Sequence, residues 1–244
     1  MTLTADWDVP AHVTAFTTLR TGGTSGSPYD TFNLALHVGD DAGAVLRNRR
    51  VLAESQGWVS EPLWLDQVHG NAIVRAEEAA GLPRADGAVT ERPEQALAVL
   101  TADCLPVLAC DRGGTVAGAF HAGWKGLLAG VLENGLAAMR RAPADLTVWI
   151  GPAIAAASYQ VGDEVREAYL RSDPEHRADF AADGPGHWRF DLAGAARRRL
   201  RGAGVGSVAG GRWDTCAGAD LFFSHRRQAP CGRMATIIRL EKKS

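Results

Sequence analysis

The chain has 244 residues, of which 46% are hydrophobic and 22% charged, and its formal net charge is −2. A chain of this length can bury a sizeable core, and its near-neutral charge argues against general nucleic-acid binding, which needs a basic surplus. The first residues lack the basic and apolar regions of a signal peptide, and no apolar run is long enough to cross a bilayer. The four cysteines show no disulfide-framework spacing. We therefore expect a reduced, cytoplasmic globular protein that binds neither nucleic acid nor a membrane.

Hydrophobic periodicity predicts strands and helices that are interspersed along the whole chain. The segments with strand-like patterns are 12–19, 62–68, 71–76, 96–102, 105–111, 115–121, 146–152 and 232–240. The segments with helical spacing of apolar residues are 41–57, 125–141, 162–172 and 190–204. Asp40 or Asp41 can cap the first helix, and the glycine-rich segment 21–30 predicts a loop. The strands 62–68 and 71–76 are expected to pair around His69.

Several predicted strands follow one another too closely for a crossover helix to fit between them, which indicates antiparallel pairing. The regular alternation of strand and helix that is typical of a doubly wound parallel sheet is missing. No linker, repeat or low-complexity stretch divides the chain. We therefore predict a single α+β domain over residues 1–244, built on mixed β-sheets.

A histidine, a cysteine and a second histidine lie at the ends of apolar stretches: His69 in LWLDQVHG, Cys104 in VLTADCLPVLAC and His121 in TVAGAFHAGWKG. Two imidazoles and one thiolate are a recognised ligand set for catalytic zinc, which keeps three protein ligands and one open position. The same set can hold copper when a weak axial thioether is added, and Met234 or Met139 could supply one.

A third hypothesis needs no metal, with Cys104 as the nucleophile of a hydrolase or amidase and His121 as its base. A satisfied core histidine is the structural alternative for each imidazole. The three residues are far apart in sequence, and no compact motif such as CxxC or HExxH is present. The spacing alone therefore leaves these hypotheses open.

A series of motifs follows along the chain: TLRTGGTS, FNLALHVGDD, DQVHG, ADG, TADCLPVL, HAGWKG, IGPAI, YQVGDEV, DLAGAAR, FFSHRR and GRMATII. In this order, over about residues 12–240, they resemble the YfiH-like family, which has been labelled polyphenol oxidoreductase or laccase, peptidoglycan editing factor, and purine nucleoside phosphorylase. The resemblance implies an α+β fold with a β-sandwich-like core flanked by helices. It also implies that His69, Cys104 and His121 bind one zinc ion per chain, which makes copper the less favoured metal.

The resemblance further implies a reaction, which is phosphorolysis of adenosine, inosine, guanosine and methylthioadenosine together with deamination of adenosine. Purine nucleosides and phosphate are then the partners. The cell-wall label corresponds to the metal-free hypothesis, in which Cys104 cleaves a wrongly built muropeptide precursor.

Phosphate needs fixed hydrogen-bond donors, and the basic candidates for this role are Arg20, Lys125, Arg226, Arg227 and Arg233. Asn33, His37 and Gln67 lie in motifs shared with the family and are candidates for contact with substrate. The FFSHRR motif departs from the family pattern, since His225 stands where tyrosine is common, which puts substrate choice in doubt.

Two aspartates lie close to the predicted metal ligands in the motifs. Asp103, beside Cys104, is the candidate for support of the metal site or for proton transfer. Asp86, followed by Gly87, is typical of a turn. We take Cys216 and Cys231 as packing cysteines.

Overall fold

The computed structural model describes residues 1–242. The strands of this part are β1 (Thr2–Thr4), β2 (Val13–Thr18), β3 (Ile73–Arg75), β4 (Gly87–Thr90), β5 (Leu97–Thr101), β6 (Leu105–Asp111), β7 (Ala117–Ala122), β8 (Leu146–Ile150), β9 (Gln160–Gly162), β10 (Phe180–Ala182), β11 (His187–Phe190), β12 (Ser207–Gly210) and β13 (Met234–Leu240). The α-helices are α1 (Ala42–Ser55), α2 (Trp124–Leu128), α3 (Val131–Ala138), α4 (Asp163–Ser172) and α5 (Leu192–Gly202).

The strands form three sheets. A four-stranded sheet has the order β1-β2-β13-β5, a six-stranded sheet has the order β12-β8-β6-β7-β4-β3, and a small sheet has the order β10-β11-β9. Pairing is parallel between β12 and β8 and between β3 and β4, and antiparallel elsewhere. The prediction of mixed sheets is therefore confirmed.

The two larger sheets pack face to face, which gives the sandwich-like core. Along β5, Leu97 and Val99 face the six-stranded sheet, while the alternate residues Ala98 and Leu100 belong to the cluster on the outer side. The six-stranded sheet contributes residues such as Leu108 to the shared interior. This alternation is the period of a strand that is buried on both faces.

Helices cover the outer faces of both sheets. Leu52 of α1 packs with Phe16 and Ile237 of the four-stranded sheet. Leu132 of α3 and Leu200 of α5 pack against the outer face of the six-stranded sheet. The predicted α+β fold, with a sandwich-like core flanked by helices, is confirmed. None of the helices in the described part of the chain is both long and apolar enough to cross a membrane.

Two predicted elements are wrong. The helix predicted over 125–141 is two helices, α2 and α3, because Gly130 between them has a left-handed backbone (φ 89°) that breaks the helix. The segment 62–68 forms only isolated bridges, such as Leu63 with Leu97, and no strand pair with 71–76. Instead, β3 pairs in parallel with β4.

Asn48 on α1 fixes the loop that leads from β2 to this helix. Its fully buried amide donates to Ser25 Oγ (3.0 Å) and to the carbonyls of Thr31 (3.2 Å) and Asn33 (2.9 Å). Asn48→Ala removes these hydrogen bonds and leaves the buried carbonyl of Asn33 without a donor, and we expect the free energy of unfolding to fall by about 2–4 kcal/mol in urea titrations. Arg50→Ala, at an exposed position of the same helix, is the control. A loss as small as that of the control would contradict this role for Asn48.

Candidate metal centre

Three separate segments bring His69, Cys104 and His121 together at one end of the six-stranded sheet. His121 lies on β7, Cys104 directly precedes β6, the antiparallel neighbour of β7, and His69 lies in the connection before β3. One donor atom from each residue lies within 4.8 Å of the other two, and the imidazole rings meet edge to face with centroids 4.8 Å apart. Within residues 1–242 this is the one group of three such side chains that could hold a metal ion.

The carboxylate of Asp86 organises two of the three candidate ligands. Its Oδ1 accepts hydrogen bonds from His121 Nδ1 (2.8 Å) and from the backbone N–H of His69 (2.9 Å). Its Oδ2 accepts from the backbone N–H groups of Gly70 (2.7 Å) and Val68 (3.2 Å). Burial of this carboxyl opposes its ionisation, but the hydrogen bonds from His121 and Gly70 outweigh burial and lower the pKa of Asp86.

An ionised carboxylate can only accept, so the hydrogen bond to Asp86 assigns the proton of His121 to Nδ1 and leaves the lone pair of Nε2 free for a metal. The side chain of Asp86 is fully buried. The sequence analysis interpreted Asp86 and Gly87 as a simple turn and missed this role. In the structure Asp86 occupies a bend directly before β4, and Gly87 is the first residue of that strand.

The surroundings of Cys104 favour ionisation of its thiol. Burial raises the pKa of this group, but the nearby imidazoles of His121 and His69 outweigh burial and lower the pKa to about 6. Burial conversely lowers the pKa of His121, and the thiolate of Cys104 with the carboxylate of Asp86 raises it to about 9. In the absence of metal, the pair therefore favours a thiolate beside an imidazolium at neutral pH.

Two glycines of HAGWKG allow the chain to pass close to the site. A Cβ at Gly123 would lie 3.0 Å from Cys104 Sγ and 3.1 Å from His69 Cδ2. A Cβ at Gly126 would lie only 2.7 Å from the carbonyl oxygen of Gly70. A side chain at Gly126 would collide with the backbone directly after His69, and one at Gly123 would push Cys104 or His69 by a few tenths of an ångström, so glycine at both positions lets α2 pack closely on the His69 segment.

Two residues of the site have a left-handed backbone that is uncommon outside glycine. The φ angles are 60° at His69 and 89° at Asp103, and such backbone strain is often concentrated at functional sites. Asp103 is held by hydrogen bonds to both carboxylate oxygens, since Oδ1 accepts from Thr215 Oγ1 (2.6 Å) and Oδ2 from the backbone N–H of Arg226 (2.7 Å). The residue beside Cys104 thus ties the turn to the segment that carries Arg226.

The three candidate ligands open into a cavity of about 470 Å³, a size that is typical of small-molecule sites. Polar side chains on its wall that are not candidate ligands are those of His37, Gln67, Thr101, Asp103, Tyr159, His225, Arg226 and Arg233. Burial and the charge of Arg233 lower the pKa of His37, so its ring is neutral at pH 7. Burial raises the pKa of Tyr159 and keeps its hydroxyl protonated.

Half of the predicted substrate contacts lie on this wall, together with Asp103, and half lie elsewhere. His37, Gln67, Asp103, Arg226 and Arg233 line the cavity, whereas Arg20, Asn33, Lys125 and Arg227 are not among the described residues that line it.

The four residues that lie elsewhere have partners or surroundings of their own. Arg20 pairs with Asp30, and Lys125 lies 5.5 Å from the ring centroid of Trp124. Asn33 is buried, and its Oδ1 accepts from the backbone N–H of Arg233, so it positions a residue of the wall. Arg227 donates to backbone carbonyls only, those of residues 215, 216 and 222.

Sequence reasoning did not select Thr101, Tyr159 or His225 as site residues. Thr101 stands in TADCLPVL, three residues before Cys104, and this closeness could have found it. Tyr159 gives no comparable signal, because a tyrosine near the start of a short strand is also a common packing residue.

The thioethers expected for a copper site lie away from the candidate ligands. Met234 is fully buried, and its Sδ accepts a hydrogen bond from the backbone N–H of Phe223 (3.0 Å). Met139 is fully buried at the end of α3. Neither methionine is among the described residues that line the cavity.

We predict that Asp86→Asn lowers zinc affinity by about 10- to 100-fold, because loss of such a carboxylate partner weakens metal ligation to that extent. Competition with a zinc-binding dye measures the affinity. Asp111→Asn is the matched control, since Asp111 is a buried carboxylate that accepts from Thr115 and Val116 outside the site. Equal losses of affinity in both variants would assign the effect to folding alone.

We predict that the rate at which Cys104 of chelator-treated protein reacts with iodoacetamide rises with pH with a midpoint of about 6. The pKa of free cysteine is about 8.5. The rate therefore rises with pH through 6 and levels off above it. A Cys216→Ser background removes the other accessible thiol, since burial raises the pKa of Cys110 to about 12 and also raises that of Cys231. A midpoint above pH 8 would be inconsistent with this environment.

Comparison with known proteins agrees with the family that the sequence motifs indicate. A family model described as multi-copper polyphenol oxidoreductase laccase matches residues 14–241. A Pseudomonas aeruginosa protein named purine nucleoside phosphorylase is 44% identical over 240 residues, which are 98% of each chain. The Escherichia coli protein named purine nucleoside phosphorylase YfiH is 41% identical over 95% of this chain and 96% of its own.

Solved structures show that the similarity also holds for the three-dimensional fold. A crystal structure of a Neisseria meningitidis protein has a TM-score of 0.96 and 44% identity, with 99% of each chain covered. The crystal structure of YlmD from Geobacillus stearothermophilus has a TM-score of 0.88 and 33% identity, with 95% of this chain and 93% of YlmD covered. The chain therefore belongs to the YfiH family, whose family model has the laccase description.

Proposed function

We propose that this protein is a zinc-dependent purine nucleoside phosphorylase, acting on adenosine, inosine, guanosine and methylthioadenosine, with adenosine deamination as a second activity. The names of the relatives support the first activity, since they match this chain over almost its whole length. The observation that carries the proposal is the placement of Arg226 and Arg233 on the cavity that contains the candidate metal ligands.

These two arginines are suited to an anionic co-substrate. Within residues 1–242 neither forms a salt bridge, and the hydrogen bonds of their side chains go to backbone carbonyls and to Cys231 Sγ. Arginines in proteins usually find a carboxylate or a phosphate, because their planar donors match both. Phosphate is the anion that phosphorolysis consumes.

The residues present also fit a zinc ion. The donor set is two imidazoles and one thiolate, the lone pair of His121 Nε2 is left free by Asp86, and the cavity leaves one side of the group open. When bound, a zinc ion supplies Lewis acidity to a substrate oxygen or to water. Without a thioether on the cavity wall, the set lacks the axial ligand typical of a blue-copper site.

In the proposed reaction an oxygen of phosphate forms a bond to the anomeric carbon of the ribose while the bond from that carbon to the purine nitrogen breaks. The products are the free base, which takes up a proton, and ribose 1-phosphate. Tyr159 and the Arg226 guanidinium, 5.3 Å from its ring centroid, offer a flat surface for a purine. Asp103 holds the backbone of Arg226 in place, and Ile154 and Leu192 keep part of the wall apolar.

Deamination would use the same cavity with a different attack. Water adds to C6 of adenosine, ammonia leaves, and inosine is the product. The uncharged ring of His37 can accept a proton at one nitrogen and donate at the other, which suits either step.

Two other functions have a specific observation in their favour. The low pKa of Cys104 beside His121 also suits a cysteine hydrolase, the activity that a muropeptide-editing role requires. The description of the family model favours a polyphenol oxidase. A thiolate that binds zinc is not free to attack, so metal content separates these functions.

We expect purified protein to contain about one zinc per chain and to release free base from adenosine and inosine only when phosphate is added. Elemental analysis and chromatography of the products measure both. Cys104→Ser should lose zinc and turnover together, whereas Cys216→Ser, the control, should keep both. Turnover by metal-free protein that alkylation of Cys104 abolishes would favour the hydrolase, and copper with phenol oxidation would favour the oxidase.

A further inference from the structure

One buried hydroxyl on the cavity wall has no hydrogen-bond partner. Thr101, the last residue of β5, is 1% exposed, and its Oγ1 finds neither a donor nor an acceptor among the described residues. An unsatisfied buried polar atom destabilises the folded state, and such atoms are rare in native proteins. Because Thr101 lines the cavity, a ligand there can supply the missing partner.

The cavity distinguishes Thr101 from the other unsatisfied groups. The remaining buried side-chain atoms without a partner in the described chain belong to Glu77, Glu133, Thr147 and Arg166, and none of these residues lines the cavity. Thr147 on β8 is the closest chemical match, since it is also a buried strand threonine with an unpaired Oγ1. Thr147 is therefore the matched control for Thr101, because its hydroxyl is also buried and unpaired but the residue does not line the cavity.

Two basic side chains on the same cavity wall, those of Arg233 and His37, are suited to an anion. In the pairing of β5 with β13, Thr101 lies opposite Met234, so Arg233 comes directly next to this pair at the end of the sheet. The Nη1 of Arg233 donates to the carbonyls of Cys231 and Gly232, while its Nε and Nη2 have no partner in the described residues. His37 lies on the same wall and can donate from its ring.

No free carboxylate competes for these donors on the wall. Asp103 is the one acidic side chain among the described lining residues, and both of its oxygens already accept hydrogen bonds, from Thr215 and from Arg226. The amide of Gln67 is likewise engaged, with the backbone of Leu100. The free hydrogen-bonding capacity near Thr101 is therefore mostly that of donors.

We propose that Thr101 Oγ1, together with Arg233 and His37, forms the phosphate subsite of this cavity. The assignment rests on the proposed phosphorolysis and gives the two arginines different tasks. Arg233 binds phosphate, whereas Arg226, with Nη1 bound to the carbonyl of Gln160 and its guanidinium near the ring of Tyr159, faces the base.

Thr101→Val tests the subsite, because valine keeps the shape of threonine and removes only the hydroxyl. We expect the KM for phosphate to rise by at least about tenfold, as for the loss of a hydrogen bond to a charged group, with the KM for inosine changed less than about twofold. Thr101→Ser should restore most of the phosphate affinity. Thr147→Val, the matched control, should leave both constants unchanged. Thr101→Ala repeats the test if the valine variant does not fold.

Binding of inorganic phosphate to the zinc-loaded protein without nucleoside separates this inference from the proposed function. Calorimetry that shows phosphate binding lost in Thr101→Val and kept in Thr147→Val supports the subsite even if no nucleoside is cleaved. Phosphate binding that is equal in wild type and Thr101→Val overturns the subsite while phosphorolysis can still stand. A rise in the KM for inosine alone would overturn it as well, since the hydroxyl would then contact the nucleoside.

Discussion

The candidate metal centre depends on one buried carboxylate. Asp86 accepts four hydrogen bonds, three from consecutive backbone N–H groups of residues 68–70 and one from the ring of His121. The same side chain thereby sets the conformation of the His69 segment and the orientation of the His121 imidazole. Removing the carboxylate would leave buried donors unsatisfied and release two of the three candidate ligands at once. A carboxylate that joins two ligands in this way makes the site rigid before any metal arrives.

The arrangement of the sheets explains why the site and the proposed phosphate subsite are close together. The chain leaves the four-stranded sheet at the end of β5 and enters the six-stranded sheet at β6, with only residues 102–104 between them. This short connection therefore places Thr101, Asp103 and Cys104 at one cavity. The left-handed backbone of Asp103 makes the sharp change of chain direction possible. A hydroxyl, a carboxylate and a thiolate with different tasks are positioned by one connection between two rigid sheets.

The sequence predicted most of the larger elements, because strand periodicity is a local signal. It also named three candidate ligands, through the family resemblance, and the structure brings these three side chains together. The sequence could not predict Asp86, whose partners lie 16 to 35 residues away in the chain and whose Asp-Gly context is that of a turn. Thr101 was missed because a threonine in a strand is ordinary; its closeness to Cys104 was a sequence signal, but the missing hydrogen-bond partner is visible only in three dimensions. The predictions that placed Arg20 and Lys125 at the substrate rested on charge beside a glycine turn or at the start of a helix, and neither signal says which way a side chain points. The helix over 125–141 failed at Gly130, because apolar periodicity continues through a residue whose backbone ends the helix.

The family model and the relatives carry names for two different chemistries, and the donor atoms favour one of them. Reduction of dioxygen by an oxidase of the multicopper kind needs several metal ions that exchange electrons, whereas the described chain offers one group of three ligands. One candidate thioether, that of Met234, already accepts a hydrogen bond from the backbone N–H of Phe223. The side chain of Arg233, which has no acidic partner among the described residues, and an unpaired hydroxyl have no evident use in the oxidation of a phenol, but they match the oxygens of phosphate. The polar wall of the cavity thus supports a transfer reaction to phosphate, and it does so independently of which metal the three ligands hold.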